Sequence, residues 1–370
     1  MQMQNKISFG RWEAVTLLIN LICTKLFLYF ARMTVEDAGT AGWIMTVYIS
    51  LLALIMYVVL IKLFKKYEGK DILDIAEIAG GKLFKIIAGL VVSGSLFYLT
   101  SVVLREFSED MKVVSLPVSP LSYIMIFFII GVVAASYLGV EAILRYHAIV
   151  VPVIAAGFIL ILLGAIPKMD YTNILPVLGN GADSIFGKGF FRVSVFGELM
   201  VLFLLPPFLG GYKNVKVVGY VAIGFSSVFL ISGSLAYILT FPYPSNMESF
   251  LPIYQLARII SFGRFFQRIE AVFVFIWAMA AFIYLTATFY FMVYAFTKTA
   301  GLKYMRPLII PFAVMVYCVA FIPENLMSVI KIETQFINNT IWIVTFVFIG
   351  LIMAIANLRK QRKKEDSDKC

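Results

Sequence analysis

Residues 193–212 read VSVFGELMVLFLLPPFLGGY, a stretch that carries one charge, Glu198, and a Pro206-Pro207 pair followed by Gly210-Gly211. About 20 helical residues at 1.5 Å each cover the ~30 Å hydrocarbon core of a bilayer. Two prolines remove backbone donors, and carbonyls freed in lipid are tolerated only where they face protein or a watery cavity. A carboxylate at mid-bilayer costs ~3 kcal/mol or more, so Glu198 requires a partner. The stretch predicts an interrupted transmembrane helix facing the inside of a helical bundle.

The remainder of the chain reads the same way. Of its 370 residues, 61% are hydrophobic and 14% charged, with a mean hydropathy of +0.93. Soluble domains are about 45–50% apolar and about 25% charged. A cytosolic enzyme, a secreted disulfide scaffold and a nucleic-acid binder are excluded. Charge-free stretches long enough to span run Ala38–Ile61, Ile86–Leu104, Leu121–Val140, Tyr146–Pro167, Val217–Met247, Ala271–Thr297 and Thr334–Leu358, with a shorter one at Pro307–Pro323. Ala14–Ala31 resembles the opening stretch in holding a single charge, Lys25. The expectation is an all-α polytopic membrane protein of ten transmembrane helices. Residues 1–358 then form one transmembrane domain, and 359–370 a basic tail.

Ten spans put both termini on one side. Twenty Lys and Arg fall on that side and ten on the other, with Lys25 inside a span. The net charge of +10 splits into +11 and −1 across a neutral interior. By the positive-inside rule both termini are cytoplasmic. Five being odd, the second half (about 190–358) starts on the opposite side from the first (about 8–167), the topology of an inverted repeat whose site lies near midplane. Counting from the span ends, Lys25 lies about 4.5 Å and Glu198 about 7 Å outward of the middle. A structural ion pair and a ligand pocket are both open readings of these two charges.

Cys23, Cys318 and Cys370 are scattered and imply no disulfide or metal framework. His147, the single histidine, reads as an interfacial side chain. No phosphate loop, metal-binding or nucleophile motif appears, so neither an enzyme nor a cofactor is expected. Ser93-Gly94-Ser95 and Ser232-Gly233-Ser234 read as close helix contacts.

The segments expected on the outer face are more distinctive than the spans. They run Arg105-Glu106-Phe107-Ser108-Glu109-Asp110-Met111, Leu116-Pro117-Val118-Ser119-Pro120-Leu121 and Asn173-Ile174-Leu175-Pro176-Val177-Leu178. Phe241-Pro242-Tyr243-Pro244, Tyr254-Gln255-Leu256-Ala257-Arg258 and Gln267-Arg268-Ile269-Glu270-Ala271 follow, with Trp277 beyond. In this order they resemble the endospore germination permease family, the B subunit of GerA-type nutrient germinant receptors, over nearly the whole chain. That family is similar to amino acid–polyamine–organocation transporters. The resemblance implies a LeuT-like fold with a site framed by helices one, three, six and eight. It also implies a spore inner-membrane location, a small nutrient ligand, and two partners: a membrane A subunit and a lipoprotein C subunit.

Carried onto this chain, the implied pocket draws on Cys23, Thr24 and Lys25, on Phe97, Tyr98 and Ser101, on Gly197, Glu198 and Leu202, and on Phe282 and Tyr284. Cys23 stands where the family usually has a glycine, and Leu28 and Tyr29 fill the region of a usual proline. A continuous and an unwound first helix are thus both open. Arg105, Glu109, Asp110, Arg258, Arg264, Arg268 and Glu270 read as solvated helix ends, or as a polar lid or docking surface for the lipoprotein. A sensing subunit leads; a proton-coupled amino acid permease that titrates Glu198 is the alternative.

Overall fold

The computed structural model describes residues 9–261 and 269–367. Among these no strand occurs. The helices are α1 (Arg11–Cys23), α2 (Phe30–Ala38), α3 (Gly42–Phe64), α4 (Ile72–Val114, with a sharp break at Gly81, φ +76°), α5 (Leu121–Leu138), α6 (Val140–Ala165), α7 (Gly189–Arg192) and α8 (Pro206–Leu209). They continue with α9 (Tyr212–Thr240), α10 (Pro252–Arg258), α11 (Glu270–Thr299), α12 (Arg306–Ala320), α13 (Leu326–Ile332), α14 (Asn338–Trp342) and α15 (Ile349–Ser367).

Seven helical segments among the described residues are long and apolar enough to cross a membrane, and Arg306–Ala320 is a shorter apolar helix. The first and sixth expected spans are not continuous helices. They are assembled from short pieces, α1 to α2 and α7 to α8, and their side chains are almost entirely buried. Leu51, Ile55, Ile130, Leu163, Phe225, Val228 and Leu351 instead present large apolar side chains on the outside of the bundle. That inversion, broken helices inside and continuous ones outside, follows from the need to shield every freed backbone group from lipid.

α11 makes its most extensive contact with α4, and close approach explains why. A Cβ on Gly89 would lie 1.6 Å from the Thr299 hydroxyl. Gly233, in one of the two small-residue runs, likewise leaves no room beside Leu26, whereas Gly94 meets nothing and borders a cleft instead. His147 departs from the interfacial expectation: it is fully buried, with Nδ1 2.8 Å from the Ile143 carbonyl.

Both ends of the described chain lie at one end of the bundle. Arg11 donates to Asn214 at the start of α9, Tyr57 donates to the Val215 carbonyl, and Asn357 reaches the Leu63 carbonyl. At this proximal end Lys298 pairs with Asp71 and Asp74 at 2.7 Å each. At the distal end Arg192 meets Asp37 at 2.7 Å and donates to the Thr334 carbonyl at 2.8 Å.

Candidate functional site

Lys25 lies just beyond α1, in a single 3₁₀ turn, Thr24–Phe27. The chain then leaves helical geometry at Leu28 (φ −97°, ψ −124°) and resumes in α2. The first helix is therefore broken, with neither glycine nor proline at the break. Facing it, Val193–Leu204 winds as 3₁₀ turns on either side of a non-helical Phe196 (φ −91°, ψ 15°). Runs beyond 3–4 residues are uncommon. Neighbours brace this one: a Cβ on Gly197 would lie 2.6 Å from the Ile341 side chain, and Thr345 donates to the Gly197 carbonyl. The Pro206-Pro207 pair, expected to interrupt the span, instead starts α8, and Gly210 and Gly211 (φ +61° and +82°) end it before α9. Proline at the first helical positions is well tolerated, since its missing N–H would have no partner there.

The two expected intramembrane charges meet. Lys25 Nζ donates to Glu198 Oε2 at 2.7 Å and to the carbonyls of Val195 and Ser194 at 3.3 and 3.4 Å. The Tyr284 hydroxyl donates to Glu198 Oε1 at 2.8 Å. Lys25 is 4% exposed and Glu198 wholly buried. An ammonium has three donors, and each has an acceptor, so this unit is electrically and sterically complete without a ligand.

The other implied pocket residues disperse. Thr24 donates to the Asn20 carbonyl at 2.7 Å, and Asn20 in turn reaches the Ala280 carbonyl on α11. Cys23 is buried beneath α9. Cys23 and Thr24 border an apolar cavity of ≈ 210 Å³ with Phe27, Pro152 and Phe229. Leu202 is buried beyond Glu198. Ser101 bonds back to the Phe97 carbonyl at 2.9 Å, and Tyr98 lines a ≈ 380 Å³ cleft between α4 and residues 340–344. Phe282 packs against Phe128 and Tyr146, on a different face of α11 from Tyr284. The structure thus joins Lys25, Glu198, Gly197 and Tyr284, and separates Cys23, Tyr98 and Phe282 from them.

The charged segment after the expected third span is not a solvated helix end. α4 runs ten residues past Leu104, and Arg105, Glu106 and Asp110 are all buried. Arg105 pairs with Glu109 at 2.8 Å and donates to the carbonyls of Ala320 and Glu324 at 3.3 Å each, strapping α4 to the end of α12. Glu106, Asp110 and Glu333 lie within electrostatic reach of one another, and Glu106 Oε2 and Glu333 Oε2 are buried without a hydrogen-bond donor. Sequence reasoning missed this acidic group; its signal was an acidic i, i+4 pair next to an apolar span. Arg258 is exposed, Glu109 and Glu270 are half-buried, and Arg264 and Arg268 lie outside the described residues.

Broken helices inside a sheath of continuous ones make up the LeuT fold, as the comparison with solved structures shows. The crystal structure of MhsT in complex with L-phenylalanine matches with a TM-score of 0.69 over 95% of this chain and 89% of that one, at 16% identity. A Na+-coupled sialic acid symporter, in its substrate-bound outward-open state, matches at 0.59 over 95% and 78%, at 13% identity. The chain belongs to the spore permease family, whose model, described as spore germination protein, matches residues 9–329. Three relatives come from Bacillus subtilis (strain 168). Spore germination protein YndE is 22% identical over 95% of this chain and 97% of its own. Spore germination protein KB is 22% identical over 64% of each chain, and spore germination protein B2 21% identical over 55% of each. The match spans about half the length of protein B2 and just under two thirds of protein KB. The protein is a multi-pass membrane protein of the germination permease family.

Proposed function

We propose that this protein is the ligand-sensing membrane subunit of a spore nutrient germinant receptor. It binds a small nutrient, an amino acid foremost, near the midplane and triggers germination through a membrane A subunit and a lipoprotein C subunit. In this reading the chain crosses the spore inner membrane ten times, as a five-plus-five inverted repeat. Both termini and the tail at 359–370 face the cytoplasm. The role involves no catalysis and no cofactor. The carrying observation is that two interrupted helical segments cross at a buried charge pair, in a chain of the germination family. Broken helices concentrate ligand sites and hinges in such folds. Spores lacking this protein are expected to lose their response to one nutrient class while germinating normally on others. An unchanged nutrient response would refute the proposal.

The second reading, a proton-coupled amino acid permease, is favoured by one observation, the buried carboxyls of Glu106 and Glu333, each with an oxygen that has no hydrogen-bond donor. Liposomes holding the purified protein separate the two. Saturable uptake of labelled amino acid driven by a pH gradient favours the permease; saturable binding without uptake favours the sensor.

A further inference from the structure

At the proximal end the chain passes from α3 to α4 through a tight turn. The Tyr67 amide donates to the Phe64 carbonyl at 2.9 Å, and the Lys70 amide to the Tyr67 carbonyl at 3.4 Å. The end of α15 is strapped beside this turn. Asn357 donates to the Leu63 carbonyl at 3.0 Å, and Lys360 Nζ reaches the Lys66 carbonyl at 3.5 Å while lying 5.8 Å from the centre of the Tyr67 ring. Between the two lies a cavity of ≈ 300 Å³ whose lining carries Lys66, Tyr67, Glu68, Lys70, Arg359 and Lys360. Ligand sites begin at about this size, ~300 Å³.

Four cations and one carboxylate give the lining a net charge of +3. Among the described residues none of these five charges forms a salt bridge. Like charges gathered around one opening repel, so the arrangement calls for an anion. A second observation does not depend on charge. Tyr67 is 2% exposed, and its hydroxyl is buried with no hydrogen-bond partner. A buried hydroxyl is destabilising until something supplies an acceptor.

The place of the cavity says where the anion comes from. α3 and α15 belong to apolar spans that end beside it. Each carries an exposed apolar stripe, Leu51, Ile55 and Val59 on α3 and Leu351, Ile355 and Leu358 on α15. Spacings of three and four residues put each set on one helix face. Arg359 directly follows Leu358, so the cations begin where the apolar stripe stops. That is the boundary between hydrocarbon and headgroups, where phospholipid phosphates lie.

We propose that this cavity holds the phosphodiester of one anionic phospholipid, with its acyl chains along the α3 and α15 stripes. Arg359, Lys360, Lys66 and Lys70 donate to the phosphate oxygens. Lys360 leaves the Tyr67 ring to do so, and the phenol then becomes a further donor to the same group. Glu68 opposes a second negative charge and accepts from a headgroup hydroxyl, which favours a monoanionic polyol headgroup such as that of phosphatidylglycerol.

The test is native mass spectrometry of the full chain released from phosphatidylcholine nanodiscs made with and without phosphatidylglycerol. One phosphatidylglycerol is expected to stay on each chain, favoured about tenfold or more over phosphatidylcholine, and excess inorganic phosphate does not displace it. Arg359→Gln with Lys360→Gln weakens retention about 10- to 100-fold, and Tyr67→Phe about 3- to 10-fold. Lys303→Gln with Arg306→Gln removes the same charge from the connection between α11 and α12 and changes retention by less than about twofold. Should the cavity variants fail to fold, the lipid preference of the unmodified protein decides alone. Equal retention of the two lipids overturns the inference, and so do cavity variants that retain phosphatidylglycerol as before. A control variant that loses as much as the cavity variants reduces the effect to diffuse surface charge and overturns it too. Displacement by inorganic phosphate assigns the cavity to a soluble anion and overturns the lipid. None of these outcomes touches the sensing role, which fails separately if spores lacking the protein respond normally.

Discussion

Removing one member of the Lys25–Glu198 pair is expected to be much worse than removing both. Lys25→Met strips Glu198 of its 2.7 Å partner and leaves a buried carboxylate held by the Tyr284 hydroxyl alone. Glu198→Gln leaves an ammonium facing the Ser194 and Val195 carbonyls, both at 3.3–3.4 Å. Breaking a buried pair from one side costs about 3–5 kcal/mol, whereas replacing both charges by neutral groups of similar volume is close to neutral. The glutamine carbonyl still accepts from Tyr284 and methionine refills the lysine stem, so the double variant should lose no more than about 1 kcal/mol. Two single losses of about 4 kcal/mol against a combined loss of about 1 give a coupling of about 7 kcal/mol in magnitude, far above the ~0.5 kcal/mol of independent sites. Denaturant titration of the purified protein in mixed micelles reads all four corners of the cycle. Single variants that lose under about 1 kcal/mol, or a double variant as unstable as the worse single, would refute the closed-pair reasoning. The same double variant tests function: if nutrient binding survives with assembly, the pair is structural and the ligand is read elsewhere.

Three further outcomes follow from the packing. Gly89→Ala is expected to destabilise by about 1–3 kcal/mol, because the new Cβ would sit 1.6 Å from the Thr299 hydroxyl; Thr299→Ala should recover only part of the loss, since its Cβ would still lie 2.6 Å away, and Thr299→Gly should recover more of it. Arg105→Met removes two contacts with one oxygen of Glu109 and two carbonyl bonds, so amide exchange at Phe321–Asn325 should quicken and stability fall by about 2–4 kcal/mol; unchanged exchange would refute the strap. Lys298→Met leaves Asp71 and Asp74 unpaired at the proximal end, and a cysteine placed in the Lys65–Lys70 loop should label faster if this latch holds that end closed.

Composition, periodicity and charge counting exposed the solvent, the long outer helices and the two charges at midplane, because each is a local property of the chain. A charge inside an apolar run is visible without coordinates, and so is the need for its partner. The acidic group was hidden for the same reason. A search that ends a span at the first charge stops at Leu104, yet α4 continues to Val114 with Glu106 and Asp110 buried against Glu333, more than two hundred residues away. Phe282 and Tyr284 show a second limit. Two residues apart on an apolar helix, they point about 200° from each other, and which one faces Glu198 depends on neighbours such as Phe128 that sequence pattern does not reveal. The break in the first helix had no glycine or proline to announce it, and it falls at a buried leucine, Leu28.

The two polar groups divide the work in a way neither suggests alone. Lys25, Glu198 and Tyr284 form a neutral, fully bonded joint that holds α1, the 193–204 segment and α11 in register. Such a joint resists motion and has no vacancy to offer a ligand. Glu106 and Glu333 instead each keep one buried oxygen without a hydrogen-bond donor. Lys25 is near enough to act on Glu333, so a change of charge at that carboxyl alters the field on the joint. Arg192 pairs with Asp37 at the distal end, and Lys298 with Asp71 and Asp74 at the proximal end. A transporter would open those ends in turn; a sensor needs only the strain passed to a neighbouring subunit. Holding Lys298 locked, by a cross-link to α4, therefore discriminates on mechanism. Nutrient binding and germination should survive the lock in a sensor, and uptake should stop in a permease.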